Sequence, residues 1–111
     1  MLYDMKLNDQ PFNRIKNGFK KIEMRLYDEK RELLRPRDVI RFTNNTTGEQ
    51  ISAEIVSLHI FSSFDELYRR FDKIELGYLP NETATHTDME KYYTKDMQDK
   101  YGVVGIEIKL I

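Results

Sequence analysis

Gly18-Phe19-Lys20-Lys21-Ile22-Glu23-Met24-Arg25 is the stretch where a helical period gives way to a strand period, and the fold is read outward from it. Upstream, Pro11 to Asn17 reads as helix. Phe12 and Ile15 stand three apart and so share a face. Asn8 or Asp9 can cap this helix, and Pro11 suits its first turn, where a missing N–H is not needed. Gly18 follows as a C-terminal cap, because glycine takes positive φ there at little steric cost. Downstream, Ile22, Met24 and Leu26 alternate with Lys21, Glu23, Arg25 and Tyr27, the period of a strand. The apolar set is expected in a core.

The opposite face of that strand has two readings. In the first it is a solvated face whose cross-strand ion pairs each contribute about 0.2–1 kcal/mol. In the second it is the polar floor of a cleft, where Lys, Glu and Arg act on a ligand. Lys20 and Glu23 differ by an odd number, so on a regular strand they point apart. Lys20 joins the polar face only if it lies in the turn before regular pairing begins, which Gly18 allows.

With 111 residues the chain is read as one domain, residues 1–111, burying roughly two-thirds of its extended-chain surface. Hydrophobic residues make up 40% and charged residues 33%, the balance of a globular rather than a disordered protein. Absence of Cys excludes disulfides and thiolate metal sites and is compatible with the reducing cytoplasm, where the chain is expected to reside. No apolar run approaches the roughly 20 residues of a membrane span, and Met1 to Lys6 lacks the basic and apolar regions of a secretory signal. His59 and His86 have no partner at ligand spacing and read as packing or surface residues, so no metal is expected. No nucleophile elbow or phosphate-binding glycine loop is present, and no cofactor is expected. The net charge of −1 argues against gripping nucleic acid by bulk electrostatics. It is unevenly spread: residues 14–41 hold ten Lys or Arg against five Asp or Glu, while residues 62–111 hold seven against ten. A basic patch that includes the opening stretch is available to meet phosphate.

Elsewhere the pattern predicts strands over Leu2–Leu7 and Asp38–Thr43, a turn-rich loop at Asn44-Asn45-Thr46-Thr47-Gly48, and a long return strand from Gln50. In that strand Ile51, Ala53 and Ile55 set one phase and Val56, Leu58 and Ile60 the other. The flip between Ile55 and Val56 predicts a bulge. Ser63-Phe64-Asp65-Glu66 has capping-box form and opens a helix with Phe64, Leu67, Tyr68 and Phe71 inward. Asp72 to Ala84 is an irregular loop of the length often tied to function. Thr87-Asp88-Met89-Glu90 is a second capping box, opening a helix through Tyr92 and Tyr93. Thr94 caps a further turn ending at Gly102, and Val103 to Ile111 is the last strand, with Val104, Ile106, Ile108 and Leu110 on its core face. Strands mixed with short helices in one small domain give an α+β fold on a curved sheet.

The pattern G-x-K-x-x-E-x-R, here Gly18, Lys20, Glu23 and Arg25, resembles the signature of the ASCH domain family, a branch of the PUA-like barrels. Pro11-Phe12, Arg25-Leu26-Tyr27-Asp28, Arg37 to Phe42, Ser63 to Tyr68, Met89 to Thr94 and Tyr101 to Ile106 extend the likeness over nearly the whole chain. The resemblance implies a PUA-like β-barrel of about five to six mixed strands with short helices covering its ends. It also implies an RNA- or nucleotide-binding cleft built around the motif, with Gly18, Arg25, Tyr27, Asp88 and Tyr93 as ligand-binding residues.

Some similar ASCH proteins are amidohydrolases that deacetylate N4-acetylcytidine. Their G-x-K-x-x-T-x-R motif supplies a lysine and a small hydroxyl residue, and a later loop supplies a glutamate. Lys20 matches that lysine, whereas Glu23 stands in the threonine position. For the later carboxylate Glu82 is the best match in register and Asp88 the alternative, though Asp88 also reads as a favourable charge in the first turn of a helix. On this reading Lys20, Glu23 and Glu82 are the catalytic residues. Lys20 either stays charged and holds an oxygen, or is neutral by burial and serves as base or nucleophile; Glu23 nearby works against the second. Tyr27, Tyr92 and Tyr93 are available to stack a base or to pack in the core. A third alternative is an interaction domain with no small-molecule site.

Overall fold

Five strands form one mixed sheet in the computed structural model, which describes residues 1–111. In chain order the elements are β1 (Leu2–Leu7), α1 (Asp9–Lys16), β2 (Ile22–Leu26), β3 (Val39–Asn44), β4 (Gln50–Phe61), α2 (Phe64–Arg70), α3 (Lys95–Tyr101) and β5 (Val103–Leu110). Two 3-10 turns lie at Arg31–Leu33 and His86–Lys91. The strand order is β1-β3-β4-β5-β2, with β1 parallel to β3 and the other pairs antiparallel. The sheet curls into a half-barrel with short helices about it, an α+β PUA-like fold. No helix is long and apolar enough to cross a membrane.

Local chemistry explains most boundaries. Phe12 and Ile15 bury one face of α1 in the barrel. The chain then turns at Gly18, whose φ of 92° is the positive value expected after a helix. Neither Asn8 nor Asp9 caps α1 through its side chain. Asp9 accepts from Asn13 and Asn44 instead, and so ties α1 to the end of β3. Ser63 caps α2 by accepting from the Glu66 amide. The Glu66 carboxylate reaches back to Ser62, at 2.6 Å from its Oγ. Thr94 caps α3, which closes at Gly102. Between α2 and α3, Thr85 rather than Thr87 acts as a cap, and the element it caps is the 3-10 turn His86–Lys91 rather than an α-helix. The Thr87 hydroxyl, which would cap a helix two residues later, is engaged with Thr85, and Asp88 is bound to Tyr78.

The bulge falls where the phase flip places it, with the β4–β5 register shifting between Ile55 and Ser57. From there on the burial departs from expectation. Val56, the unpaired residue of the bulge, is 44% exposed, and Ile60, near the end of β4, is 53% exposed. Leu110 is also exposed, since β5 there has run past its last pairing with β2 at Glu107.

Two apolar clusters result. One fills the curve of the sheet around Phe12, Ile15, Phe42, Ile55 and Ile106. The other packs the outer side of β2 against α2 and the following loop through Ile22, Met24, Leu26, Phe64, Leu67 and Leu76. β2 therefore sits between them. Its Ile22, Met24 and Leu26 enter the second cluster, so Glu23 and Arg25 point the other way, beside Ile106 and Val104 of β5.

Candidate functional site

The motif face is not solvated. Glu23 is 5% exposed and Lys20 6%. Lys20 lies two residues before β2 begins, in the turn, and this lets its side chain swing to the Glu23 side. Its ammonium donates to the carbonyls of Ile22 at 2.9 Å and Leu76 at 3.0 Å, with Glu23 Oε1 3.5 Å away. Glu23 Oε2 accepts from Arg25 Nε at 2.8 Å. The carboxylate thus lies between two cations.

Burial pushes the Glu23 carboxyl up, but the Arg25 guanidinium and the Lys20 ammonium outweigh it and hold the group below the usual carboxylate range. Burial pulls the Lys20 ammonium below the ordinary lysine value, and Glu23 opposes that shift. Two carbonyls and a carboxylate oxygen aim at one nitrogen, which suits three N–H donors and leaves no place for a lone pair. Lys20 is therefore charged in this arrangement. Burial also opposes charge on Arg25, and Glu23 and the Tyr93 phenol beside it more than offset this.

Arg25 has a second role. Its Nη2 donates to the Lys6 carbonyl at 3.1 Å. Lys6 is on β1 and Arg25 on β2, the two edges of the sheet. One side chain thus bridges the gap that no backbone ladder closes.

A cleft of about 430 Å³ opens at that gap. Residues 72–85 form one wall, pinned from below. Lys21 and Ile22 donate their amides to the Glu75 carbonyl, continuing the line of β2. Arg14 of α1 donates to the Gly77 carbonyl at 2.7 Å and to Glu82 at 2.7 Å. Gly77 has φ +105°, and a Cβ there would lie 2.7 Å from Lys20 Cδ, so only glycine lets the loop close over the lysine. Glu82 also accepts from the Leu79 amide at 2.6 Å. Hydrogen bonding to Arg14, then to this amide, holds its carboxyl below the usual range.

Hydroxyl groups line the same wall. Tyr68 and Tyr78 Oη are 2.8 Å apart, and Tyr78 Oη is 2.7 Å from Asp88 Oδ2. Burial pushes the Tyr68 phenol up to about 12 and raises Tyr78 as well. Tyr93 stacks on Phe64 at 5.9 Å, and Tyr92, 57% exposed, stands at the mouth with Lys91 over its ring.

Of the residues singled out in the sequence, Lys20, Glu23, Arg25, Glu82, Asp88, Tyr92 and Tyr93 line one cleft. Tyr27 does not: it packs against the barrel core. Gly18 is exposed and acts only through its backbone turn. Arg14, Gly77, Tyr68 and Tyr78 also line the cleft and escaped the sequence reading. Gly77 in a long loop was the available signal; Tyr68 read as a core residue of its helix, and Tyr78, in the loop, carried no signal. The histidines lie elsewhere. His59 contacts Glu107 and the edge of Phe71, and His86 is 3.6 Å from Asp65. No group of three or more His, Cys, Asp or Glu side chains is placed to hold a metal ion.

Six of the ten cations of residues 14–41 pair with a carboxylate, Lys20 and Arg25 sharing Glu23, whereas Lys21, Lys30, Arg35 and Arg37 have no such partner. Arg14 pairs with Glu82, Lys16 with Glu49, Arg31 with Asp28 and Arg41 with Asp4. Lys6 and Lys91 line the cleft without a carboxylate partner.

Known proteins place this architecture. The crystal structure of hypothetical protein PH0355 is similar over 100% of both chains, at 33% identity and a TM-score of 0.87. The solution NMR structure of protein PF0455 from Pyrococcus furiosus covers 100% of this chain and 98% of its own, at 32% identity and a TM-score of 0.73. No curated protein matches the sequence. The family description that matches is the ASCH domain, over residues 5–111, from the middle of β1 to the end of the chain. With the motif at the floor of the cleft and the match running through every element that builds it, the chain belongs to the ASCH domain family.

Proposed function

We propose that this chain is a cytoplasmic single-domain protein whose cleft binds a nucleoside or nucleotide, free or as an unstacked base of single-stranded RNA. The observation that carries the reading is the buried Lys20–Glu23–Arg25 cluster at the base of a 430 Å³ cleft walled by tyrosines. Aromatic faces accept a base by stacking, and fixed charges beneath read its polar edge. Lys6 and Lys91 at the cleft suit one or two phosphates.

Binding fits the arrangement better than hydrolysis. An amidohydrolase needs an attacking group, a proton carrier and a donor to the oxyanion. Lys20 as nucleophile must lose a proton, yet three acceptors hold it. Glu82 as proton carrier must leave Arg14 and the Leu79 amide.

Calorimetric titration with nucleosides, nucleotides and short single-stranded RNA tests the reading. Affinity for RNA is expected to fall with salt by a log–log slope of about −0.7 per phosphate contacted, amounting to only one or two contacts, and Arg25→Ala to weaken binding. Absence of binding to every ligand at low salt removes the proposal. Incubation with N4-acetylcytidine, followed by chromatography for cytidine and acetate, is expected to leave the substrate intact. Release of acetate, abolished by Lys20→Ala and kept or raised by Glu23→Thr, would establish the amidohydrolase instead.

A further inference from the structure

The geometry points to Asp88 as the group that reads the ligand's base edge, selecting bases that present an amino group over those that present a carbonyl at the same position. This rests on the nucleoside-binding reading above and specifies it. The argument follows the protons. A phenol has one O–H to give. Tyr78 Oη lies 2.7 Å from Asp88 Oδ2 and 3.5 Å from the Thr85 carbonyl, and the shorter, charge-assisted bond takes its proton. Tyr78 is then the acceptor for Tyr68, 2.8 Å away. The chain of donation runs from Tyr68 through Tyr78 to Asp88, and both phenolic protons are used within it.

What this wall offers the ligand is therefore decided at Asp88. Oδ2 is occupied. Oδ1 has no hydrogen bond within the protein, and no side-chain oxygen or nitrogen without a partner is buried, so Oδ1 is accessible. Asp88 lines the cleft, so the accessible oxygen belongs to a side chain of its wall. A carboxylate oxygen there accepts an N–H and repels a carbonyl, as a carboxylate facing cytosine N4 or adenine N6 does in a groove. Glu82, the other loop carboxylate, is not equivalent. Its Oε1 accepts from both Arg14 and the Leu79 amide and its Oε2 faces Arg14, so the group serves the loop.

Ligand pairs that exchange this amino group for a carbonyl, and with it turn the adjacent ring nitrogen from acceptor to N–H donor, provide the test: adenosine against inosine, and cytidine against uridine, titrated calorimetrically into the full chain. The amino member of each pair is expected to bind about tenfold tighter, the discrimination expected of one well-placed base contact. Asp88→Asn is the decisive variant. Its amide oxygen can still accept from Tyr78, which turns the NH₂ toward the ligand and reverses the preference. Tyr78→Phe frees Asp88 to rotate and narrows the preference without reversing it. Equal affinity for both members in the wild-type chain overturns the inference and leaves the nucleoside reading standing. An Asp88→Asn protein with lowered Tm and unchanged preference also overturns it, since Asp88 would then serve only as the partner of Tyr78. Failure of all four nucleosides to bind removes the cleft's ligand class and this inference with it.

Discussion

The two sides of β2 have the same length, the same backbone and nearly the same burial, yet they are held by different physics. On one side Ile22, Met24 and Leu26 pack against α2 and Leu76. On the other Glu23 and Arg25 face the barrel, with Lys20 folded in from the turn. Apolar packing is a sum of many weak contacts, and each methyl can be altered with a proportionate loss. The charged side has no such gradation. Its members offset one another's desolvation, and removing one leaves the others buried and uncompensated. Equal burial therefore does not mean equal tolerance, and a strand can carry a site on one side because its other side anchors it.

The largest effect that separates the two sides is expected from Glu23→Gln. The shape is kept but two buried cations lose their counter-ion, and unfolding free energy should drop by about 3–5 kcal/mol at neutral pH, measured by chemical denaturation. The same pair predicts a pH dependence. The folded carboxyl titrates below its unfolded value of about 4.3, so its contribution is full above that pH and is lost as pH falls through the lower, folded value. Wild-type Tm should decline on acidification in that window and the Gln variant should decline less. Equal acid profiles would break the comparison. Gly77→Ala comes next. Its Cβ meets a lysine that three acceptors prevent from moving, at a φ that side chains rarely adopt, and the expected loss is about 1–3 kcal/mol. Retained stability there would mean that Lys20 is free to rearrange. The smallest effect belongs to the apolar side: Ile22→Val should lower stability by about 0.5–1.5 kcal/mol, with ligand affinity unchanged. A larger loss, or a change in affinity, would show that the two sides are coupled.

Much of this was legible in the residues themselves. Strand and helix periods located β1, β2 and the return at Gln50, and the phase flip located the bulge, because each is written in neighbours along the chain. The side-chain turn of Lys20 toward Glu23 could be stated as a condition and no more, since whether the odd spacing matters depends on where pairing starts. Residues 72–85 were opaque. Their backbone is fixed by Arg14 and Lys20, distant in sequence, and by Lys73 within the segment, and no local propensity encodes those bonds. The Thr87 box misled for a local reason: its capping hydroxyl is engaged with Thr85, which caps the turn two residues earlier. Tyr68 and Tyr78 matter through each other, and their pairing is visible only once the loop is closed.

The hydrogen bond from Arg25 to the Lys6 carbonyl also bears on what a foreign strand meets at the margins of the sheet. An open sheet exposes two rows of unpaired amides and carbonyls, each a template for a foreign strand. Here the curl of the sheet brings both free margins to one seam, and a guanidinium stands across it. A strand adding to either margin must displace a charged group that is already paired with Glu23. The seam between the two margins is thus closed to a foreign strand by the side chain that also holds Glu23, so Arg25 guards the sheet's edges as well as the buried carboxylate.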